Sequence, residues 1–171
     1  MTAERSRQTA AWFAAHPRLK AGVVAANRWL PLIPFVCYPA LLIWLGLKLA
    51  AGQTQLLPAA IRAVLVPAAV FLGGTALRRA LNFPRPYQQP GFVPLVQKER
   101  QGCSFPSRHA LSAGVIAAVW LYFSPAAGAA LTVVALVICG LRVLTGVHFV
   151  RDVAAGFTLG FALGLAGMWL L

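Results

Sequence analysis

The chain has 171 residues, 60% of them hydrophobic and 11% charged, with a mean hydropathy of +0.75. Soluble domains carry about 25% charged residues, so this composition excludes an ordinary soluble fold and indicates an integral membrane protein. The 15 Lys and Arg outnumber the 3 Asp and Glu, for a formal net charge of +12. In a membrane chain without a nucleic-acid recognition motif, this balance favours anionic lipid or a phosphorylated substrate over nucleic acid as a partner.

Metal-ligating residues are scarce in this sequence. The complete acidic and histidine inventory is Glu4, Glu99, Asp152, His16, His109 and His148. A metal-dependent hydrolase needs several carboxylate or imidazole ligands at one site, so we expect no metal and no other cofactor. The cysteines include no C-x-x-C pair and predict no disulfide framework. Cys103 lies beside a polar motif and is a possible nucleophile, but an unreactive neighbour is the interpretation we prefer.

The first 29 residues are basic and amphipathic. Arg5, Arg7, Arg18, Lys20 and Arg28 alternate there with Trp12, Phe13, Leu19, Val23 and Val24. No uncharged run in this segment is long enough to cross a bilayer. We predict an interfacial amphipathic helix, broken at Pro17, and the alternative is a loosely ordered basic tail.

Five apolar runs follow, and they predict an all-α bundle of five spanning helices over residues 30–171. The runs are Leu30–Leu47, Ala63–Leu77 with an extension towards Leu56, Ala110–Pro125, Ala126–Leu141 and Val153–Leu171. The third run reaches spanning length only if its helix begins near Ser107, which places Ser107–His109 in the first turn. In the last run, glycines predict close helix packing at Gly156, Gly160, Gly164 and Gly167.

Three polar clusters interrupt the apolar pattern. They are Arg78, Arg79 and Arg85 after the second run, Ser107, Arg108 and His109 at the start of the third, and Arg142, His148 and Asp152 between the fourth and fifth. Alternate crossings place all three clusters on the same face of the membrane. Ionisable residues next to membrane spans are costly and usually functional, so we expect the clusters to form one site.

His148 and Asp152 are four residues apart, so both side chains share a helix face if the fifth helix begins near His148. The carboxylate can then accept a hydrogen bond from one ring nitrogen. This bond fixes the tautomer and leaves the other nitrogen free to attack an electrophile. A structural His–Asp pair is the alternative interpretation.

The other clustered residues suit a phosphoryl group. Arg78, Arg85 and Arg142 supply planar, permanently charged donors. Ser107 and the first backbone N–H groups of the third helix add neutral donors, and the helix dipole assists them. His109 can protonate the departing oxygen. Each arginine taken alone could be an interfacial anchor, but together these residues predict a phosphoryl-transfer site.

Three sequence motifs resemble one known family. The chain reads "RRALNFPRP" over residues 78–86, "PSRH" over 106–109 and "LRVLTGVHFVRD" over 141–152. These stretches are similar to K-x6-R-P, P-S-G-H and S-R-x5-H-x3-D of the type 2 phosphatidic acid phosphatases (PAP2), membrane lipid-phosphate phosphatases related to vanadium haloperoxidases. Both long spacings match in full, and the similarity extends from about residue 60 to the C-terminus.

The resemblance implies a small bacterial lipid-phosphate phosphatase that needs no metal. It implies His148 as a nucleophile that forms a phosphohistidine, Asp152 as its orienting carboxylate and His109 as the general acid. The implied phosphate ligands are Arg78, Arg85, Ser107 and Arg142.

The motifs also depart from the family pattern at three positions. Arg78 stands where the family usually has Lys, and Arg79 could shift into that role. Arg108 replaces Gly, which can add a phosphate contact, and Leu141 replaces Ser. None of these changes removes a catalytic group.

The expected substrate is a membrane lipid phosphate or diphosphate. Undecaprenyl diphosphate is our first choice by analogy, and phosphatidic acid and phosphatidylglycerol phosphate remain open. A membrane phosphotransferase that uses the same His and Asp is a second class of function. A non-enzymatic anion or lipid transporter is a third.

We expect a multi-pass protein of the bacterial cytoplasmic membrane. Five crossings place the N-terminus on the side of the site, and the basic N-terminal segment favours the cytoplasm by the positive-inside rule. Family members commonly have six spans and an outward-facing site, and on that basis we expect the site on the outer face. The sequence leaves the oligomeric state open.

Overall fold

The computed structural model describes residues 1–99 and 101–171, which contain seven α-helices and no strand. The helices are α1 Ala3–Ala15, α2 Pro17–Trp29, α3 Leu32–Ala50, α4 Leu57–Leu81, α5 Arg108–Phe123, α6 Pro125–Leu144 and α7 Val150–Trp169. Short 3-10 turns lie at Thr54–Leu56 and Pro86–Gln88. The predicted all-α fold is confirmed.

The basic N-terminal segment forms two helices that meet at His16. Pro17 is the first residue of α2, a position where its missing N–H and fixed φ do no harm. The backbone N–H of Val93 donates to Ser6 Oγ at 3.0 Å, so α1 contacts the connection between α4 and α5. The N-terminus therefore lies at the same end of the bundle as that connection.

Four helical stretches among the described residues are long and apolar enough to span a membrane: Pro17–Ala50, Thr54–Gln88, Pro125–Leu144 and Val150–Trp169. The first of these joins α2 to α3, so the predicted division after residue 29 falls within one candidate span. α5 has 16 residues, or about 24 Å at 1.5 Å per residue, and is shorter than a span. The five predicted helices after residue 30 are all present, and four of them are long enough to span a membrane.

The short helix α5 occupies the centre of the bundle. Every residue of Ala110–Val119 is buried, and α4, α6 and α7 pack around it. Protein surrounds this helix instead of lipid, so its length need not match the bilayer thickness. Ser107 is the N-cap residue of α5, and Ser124 follows its last residue and caps α6, with its hydroxyl accepting from the Ala127 N–H.

Glycines let α7 lie directly against α5. A Cβ atom at Gly156 would stand 2.6 Å from the carbonyl oxygen of Ser107, and one at Gly164 would stand 2.7 Å from Cβ of Ala118. Only glycine allows an approach this close, so the predicted packing role of the α7 glycines is confirmed. The contact holds the start of α5 against the start of α7.

Candidate active site

The connection between α4 and α5 folds back over the ends of the helices. Asn82 ends α4 in the left-handed region, with φ of 42°, and its Oδ1 accepts a hydrogen bond from the Cys103 N–H at 3.1 Å. The Ser104 N–H donates to the Phe83 carbonyl at 2.8 Å. These bonds return the chain to the end of α4 just before α5 begins.

Arg78 and Arg85 are both buried beside this connection. Arg78 lies in the last turn of α4, and its Nη1 donates to the Pro106 carbonyl at 3.2 Å. Arg85 donates from Nε to the Gly102 carbonyl at 3.0 Å. Arg79 is exposed, so the structure favours Arg78 for the position that the family pattern gives to Lys.

The start of α5 places Ser107 and His109 at the junction with α7. Ser107 is the N-cap residue, and its N–H donates to the Asp152 carbonyl at 2.9 Å. The Ser107 hydroxyl is buried and has no hydrogen-bond partner among the described residues. An N-cap side chain normally bonds within its own helix, so this hydroxyl is left available to another group.

Arg142 lies in the last turn of α6 and organises the turn that carries His148. Its carbonyl accepts hydrogen bonds from the N–H groups of Val147 and His148, both at 3.1 Å. Its own side chain is buried, and Nε finds no hydrogen-bond partner in the described part of the chain. A buried guanidinium with an unused donor is poised to bind an anion.

His148 and Asp152 lie close together, but they do not share a face of one helix as the sequence predicts. α7 begins at Val150, so His148 lies in the preceding turn and not on the helix. Its Nδ1 is 3.5 Å from Asp152 Oδ2. The same carboxylate oxygen accepts the Phe149 N–H at 3.0 Å, as an acidic side chain in the first turn of a helix commonly does.

Ser104 is the nearest side-chain partner of the carboxylate. Its hydroxyl donates to Asp152 Oδ2 at 2.5 Å and lies 3.5 Å from His148 Nδ1. All three side chains are buried. The carboxylate is therefore fixed by Ser104 and the α7 backbone, and the imidazole sits beside this assembly at a distance longer than an ordinary hydrogen bond.

Burial lowers the pKa of the His148 imidazole, because the charged form loses hydration. The positive charges of Arg85 and Arg78 act in the same direction, whereas the hydrogen bond and the charge of Asp152 raise this pKa. The net shift is downward. A neutral ring keeps the lone pair that a nucleophile needs.

These elements enclose a cavity of about 150 Å³. Its walls are Arg78, Arg85, Tyr87, Lys98, Arg108, His109, Arg142, Val147 and His148. Five of these residues are cationic and none is a carboxylate, so the cavity suits an anion with several oxygens. The structure thus brings together Arg78, Arg85, Arg108 and Arg142 with His109 and His148, but not Arg79, while Ser107 and Asp152 are buried next to the wall.

A family model supports the resemblance seen in the motifs. The model of the PAP2 superfamily matches residues 56–171, which is more than half of the chain. The chain belongs to the PAP2 superfamily. As a member of it, the protein is a membrane lipid phosphatase and therefore a hydrolase.

Two solved structures resemble the chain along most of its length. LpxE from Aquifex aeolicus has a TM-score of 0.67 and 24% identity, and the match covers 89% of this chain and 86% of that one. A transmembrane PAP2-type phosphatidylglycerolphosphate phosphatase from Bacillus subtilis has a TM-score of 0.61 and 27% identity, covering 98% and 85%. No curated protein sequence matches the chain. The first neighbour supports the fold alone.

Sequence reasoning missed three residues of this PAP2 site. Ser104 binds the Asp152 carboxylate, and Tyr87 and Lys98 line the cavity. All three lie in the polar connection between α4 and α5, where the sequence has no periodicity that would assign a side chain to the site. The long loop itself was the available signal, since such loops are often functional.

Proposed function

We propose that the protein hydrolyses a phosphomonoester or diphosphate of a membrane lipid through a phosphohistidine at His148, and that undecaprenyl diphosphate is its substrate. The observation that carries this proposal is the position of His148. The ring lies in the wall of an arginine-lined cavity, and its Nδ1 is next to Ser104 and Asp152. The other ring nitrogen, Nε2, is then the nucleophile.

In the first step, the lone pair of His148 Nε2 forms a bond to the terminal phosphorus as the bond to the leaving oxygen breaks. The leaving oxygen is the lipid oxygen of a phosphomonoester or the bridging oxygen of a diphosphate. His109 donates to that departing oxygen a proton that it takes up with the anionic substrate, because burial and the charges of Arg142 and Arg108 lower the pKa of its ring to about 3 before substrate binds. Arg78, Arg85 and Arg142 stabilise the charge on the equatorial oxygens, and Arg108 adds a further cation in the wall. The imidazole proton on Nδ1 faces the carboxylate of Asp152, which stabilises the cationic ring.

In the second step, water attacks the phosphohistidine and the bond between nitrogen and phosphorus breaks. His109, now neutral, accepts a proton from the water. Inorganic phosphate leaves, and His148 regains its lone pair. Ser107 lies buried beside the wall with its hydroxyl unpartnered among the described residues, and it donates to the phosphate in this proposal.

Phosphatidylglycerol phosphate is a second candidate substrate, because the Bacillus subtilis neighbour is a phosphatase of that lipid. Phosphatidic acid is a third. In each case the lipid tail approaches between helices from the bilayer. We further propose that the cavity opens to the outer face of the bacterial cytoplasmic membrane.

The test is phosphate release from these three lipids by the purified protein in detergent, with EDTA present throughout. We expect release by wild type, and a rate for His148→Ala below about 10⁻⁴ of the wild-type value, because the nucleophile is lost. His16→Ala is the matched control, since His16 is an exposed histidine of the N-terminal segment. Alkaline quenching during turnover should trap labelled phosphate on wild type and not on His148→Ala.

Two results would overturn the proposal: no lipid is hydrolysed, or His148→Ala is as active as wild type. A strict requirement for an acceptor lipid would instead indicate a phosphotransferase. Transport of an anion or lipid with no chemical change would indicate the non-enzymatic alternative.

A further inference from the structure

A second polar recess adjoins the catalytic cavity. It has a volume of about 410 Å³ and lies between α2, the α4–α5 connection, the start of α5 and the end of α6. Its polar walls are Asn27 and Arg28 from α2, Lys98 from the connection, and His109 and Arg142. The last three residues also line the catalytic cavity, so the two spaces share a wall.

The recess carries positive charge on several sides. Arg28, Lys98 and Arg142 come from three separate segments, and no carboxylate is among the described residues that line it. The guanidinium carbon of Arg28 lies 5.0 Å from the centroid of the Trp29 ring, a cation–π contact that helps to hold this side chain in place.

Asn27 gives an independent sign of a missing ligand. Only 5% of this residue is exposed, and its Oδ1 has no hydrogen-bond partner among the described residues. A buried amide without a partner is costly. The orphaned Oδ1 is an acceptor, which a hydroxyl of the ligand, such as the glycerol hydroxyl of phosphatidylglycerol phosphate, would satisfy, while Nδ2 of the same amide can donate to a phosphate oxygen.

The position of His109 decides which part of a substrate would enter the recess. In the proposed reaction, the scissile phosphate lies between His148 and His109, and the leaving oxygen faces His109. His109 lines the recess as well as the cavity, so the recess adjoins the leaving-group side of the phosphate. Groups attached to the leaving oxygen would therefore point into it.

We propose that this recess, lined by Asn27, Arg28 and Lys98, binds a second phosphate carried by the leaving group of the substrate. This inference rests on the proposed function and deepens it. A lipid diphosphate places its second phosphate directly on the leaving oxygen, and phosphatidylglycerol phosphate carries a phosphodiester one glycerol away. The leaving group of phosphatidic acid is an uncharged diacylglycerol. It carries no second phosphate to bind in the recess, so the recess selects against this lipid.

The first experiment compares kcat/KM for undecaprenyl diphosphate, phosphatidylglycerol phosphate and phosphatidic acid. Arg28→Gln should lower the ratio of either two-phosphate lipid to phosphatidic acid by about tenfold, the effect of one charge-assisted hydrogen bond. Asn27→Asp should lower the same ratio, because its carboxylate repels the second phosphate. Arg18→Gln is the matched control, since Arg18 is an exposed arginine of the same helix outside the recess wall.

The lipid whose kcat/KM falls in Arg28→Gln shows where the second phosphate lies relative to the scissile one. A loss confined to undecaprenyl diphosphate supports a subsite for an adjacent phosphate. A loss confined to phosphatidylglycerol phosphate supports a subsite for a phosphate one glycerol away. Equal losses on all three lipids, or a result for Arg28→Gln that matches Arg18→Gln, would overturn the proposal.

A binding experiment separates this inference from the proposed reaction. Thermal stabilisation of the wild-type protein by methylenediphosphonate, which has two linked phosphonates and cannot be hydrolysed at its carbon bridge, is compared with stabilisation by methylphosphonate. We expect about tenfold tighter binding of the diphosphonate, an advantage that Arg28→Gln removes and Arg18→Gln retains. Equal binding of the two compounds would refute the second subsite. If the advantage is present while no lipid is hydrolysed, the reaction assignment fails and the subsite stands.

Discussion

Ser104 and His148 both approach the same oxygen of Asp152. The serine hydroxyl is 2.5 Å from Oδ2 and the imidazole nitrogen is 3.5 Å away, so the serine bond is the shorter of the two. Ser104 thus acts on His148 through the carboxylate, and we regard it as a positioning residue. Its hydroxyl keeps the carboxylate beside the ring when no substrate is bound.

Replacement of Ser104 tests this positioning role. Ser104→Ala should lower kcat by about tenfold to a hundredfold with little change in KM, because one hydrogen bond to a charged group is lost. Ser104→Thr keeps the hydroxyl and should restore most of the activity. Ser112→Ala serves as the control, since Ser112 is also buried and its hydroxyl has no partner among the described residues. A rise in KM with unchanged kcat would show that Ser104 binds substrate instead.

The lowered pKa of His148 predicts the acid limb of the pH profile. Protonation of the ring removes the nucleophilic lone pair, so activity falls as the pH drops through the folded-state pKa. Burial and the charges of Arg85 and Arg78 lower this pKa, so the limb should lie below about 6.5, the ordinary value for histidine. The measurement is kcat/KM against pH, corrected for the separately measured ionisation of the substrate. A limb at or above the ordinary value would contradict the assignment.

At the scale of elements, the contact between α5 and α7 builds the site. The start of α5 carries Ser107 and His109, and the start of α7 carries Asp152. Their relative position depends on glycines that allow the two backbones to touch. The packing of α5 against α7 therefore sets the geometry of the site.

Two glycine substitutions should have opposite effects on stability. A Cβ at Gly160 would collide with the Leu111 backbone carbonyl, which cannot move like a flexible side chain. Gly160→Ala should therefore cost about 1–3 kcal/mol through overpacking. Gly140→Ala on α6 meets nothing within 4 Å and should be neutral or stabilising by up to about 1 kcal/mol. Thermal unfolding in detergent measures both, and equal stabilities would argue against the close contact.

At the scale of the whole molecule, the positive charge does not determine the orientation. Arg78, Arg85 and Arg142 are buried in the candidate site, and in the proposed reaction they bind the phosphate, so their charge is not evidence of topology. α1 contacts the same end of the bundle. Orientation therefore requires a direct measurement.

Labelling in intact cells tests the proposed outward orientation. Gln101 lies in the connection at the site end, and Ala51 lies after α3 at the opposite end. In a Cys103→Ser background, a membrane-impermeant thiol reagent should label Gln101→Cys in intact cells and Ala51→Cys only after permeabilisation. The reverse pattern would place the site on the cytoplasmic face.

The sequence by itself determined the membrane class and the helical fold, and it predicted the residues of the candidate site. Composition and apolar run length are properties of the chain alone. The predicted proximity of His148 and Asp152 is also present, even though α7 begins two residues after His148. Tertiary structure decided which arginine enters the cavity, because Arg78 and Arg79 differ only in the side of α4 that faces the bundle. It also decided that Ser104 lies against Asp152 and that α2 forms a second recess. Those contacts join segments distant along the chain, and their geometry depends on how the helices pack.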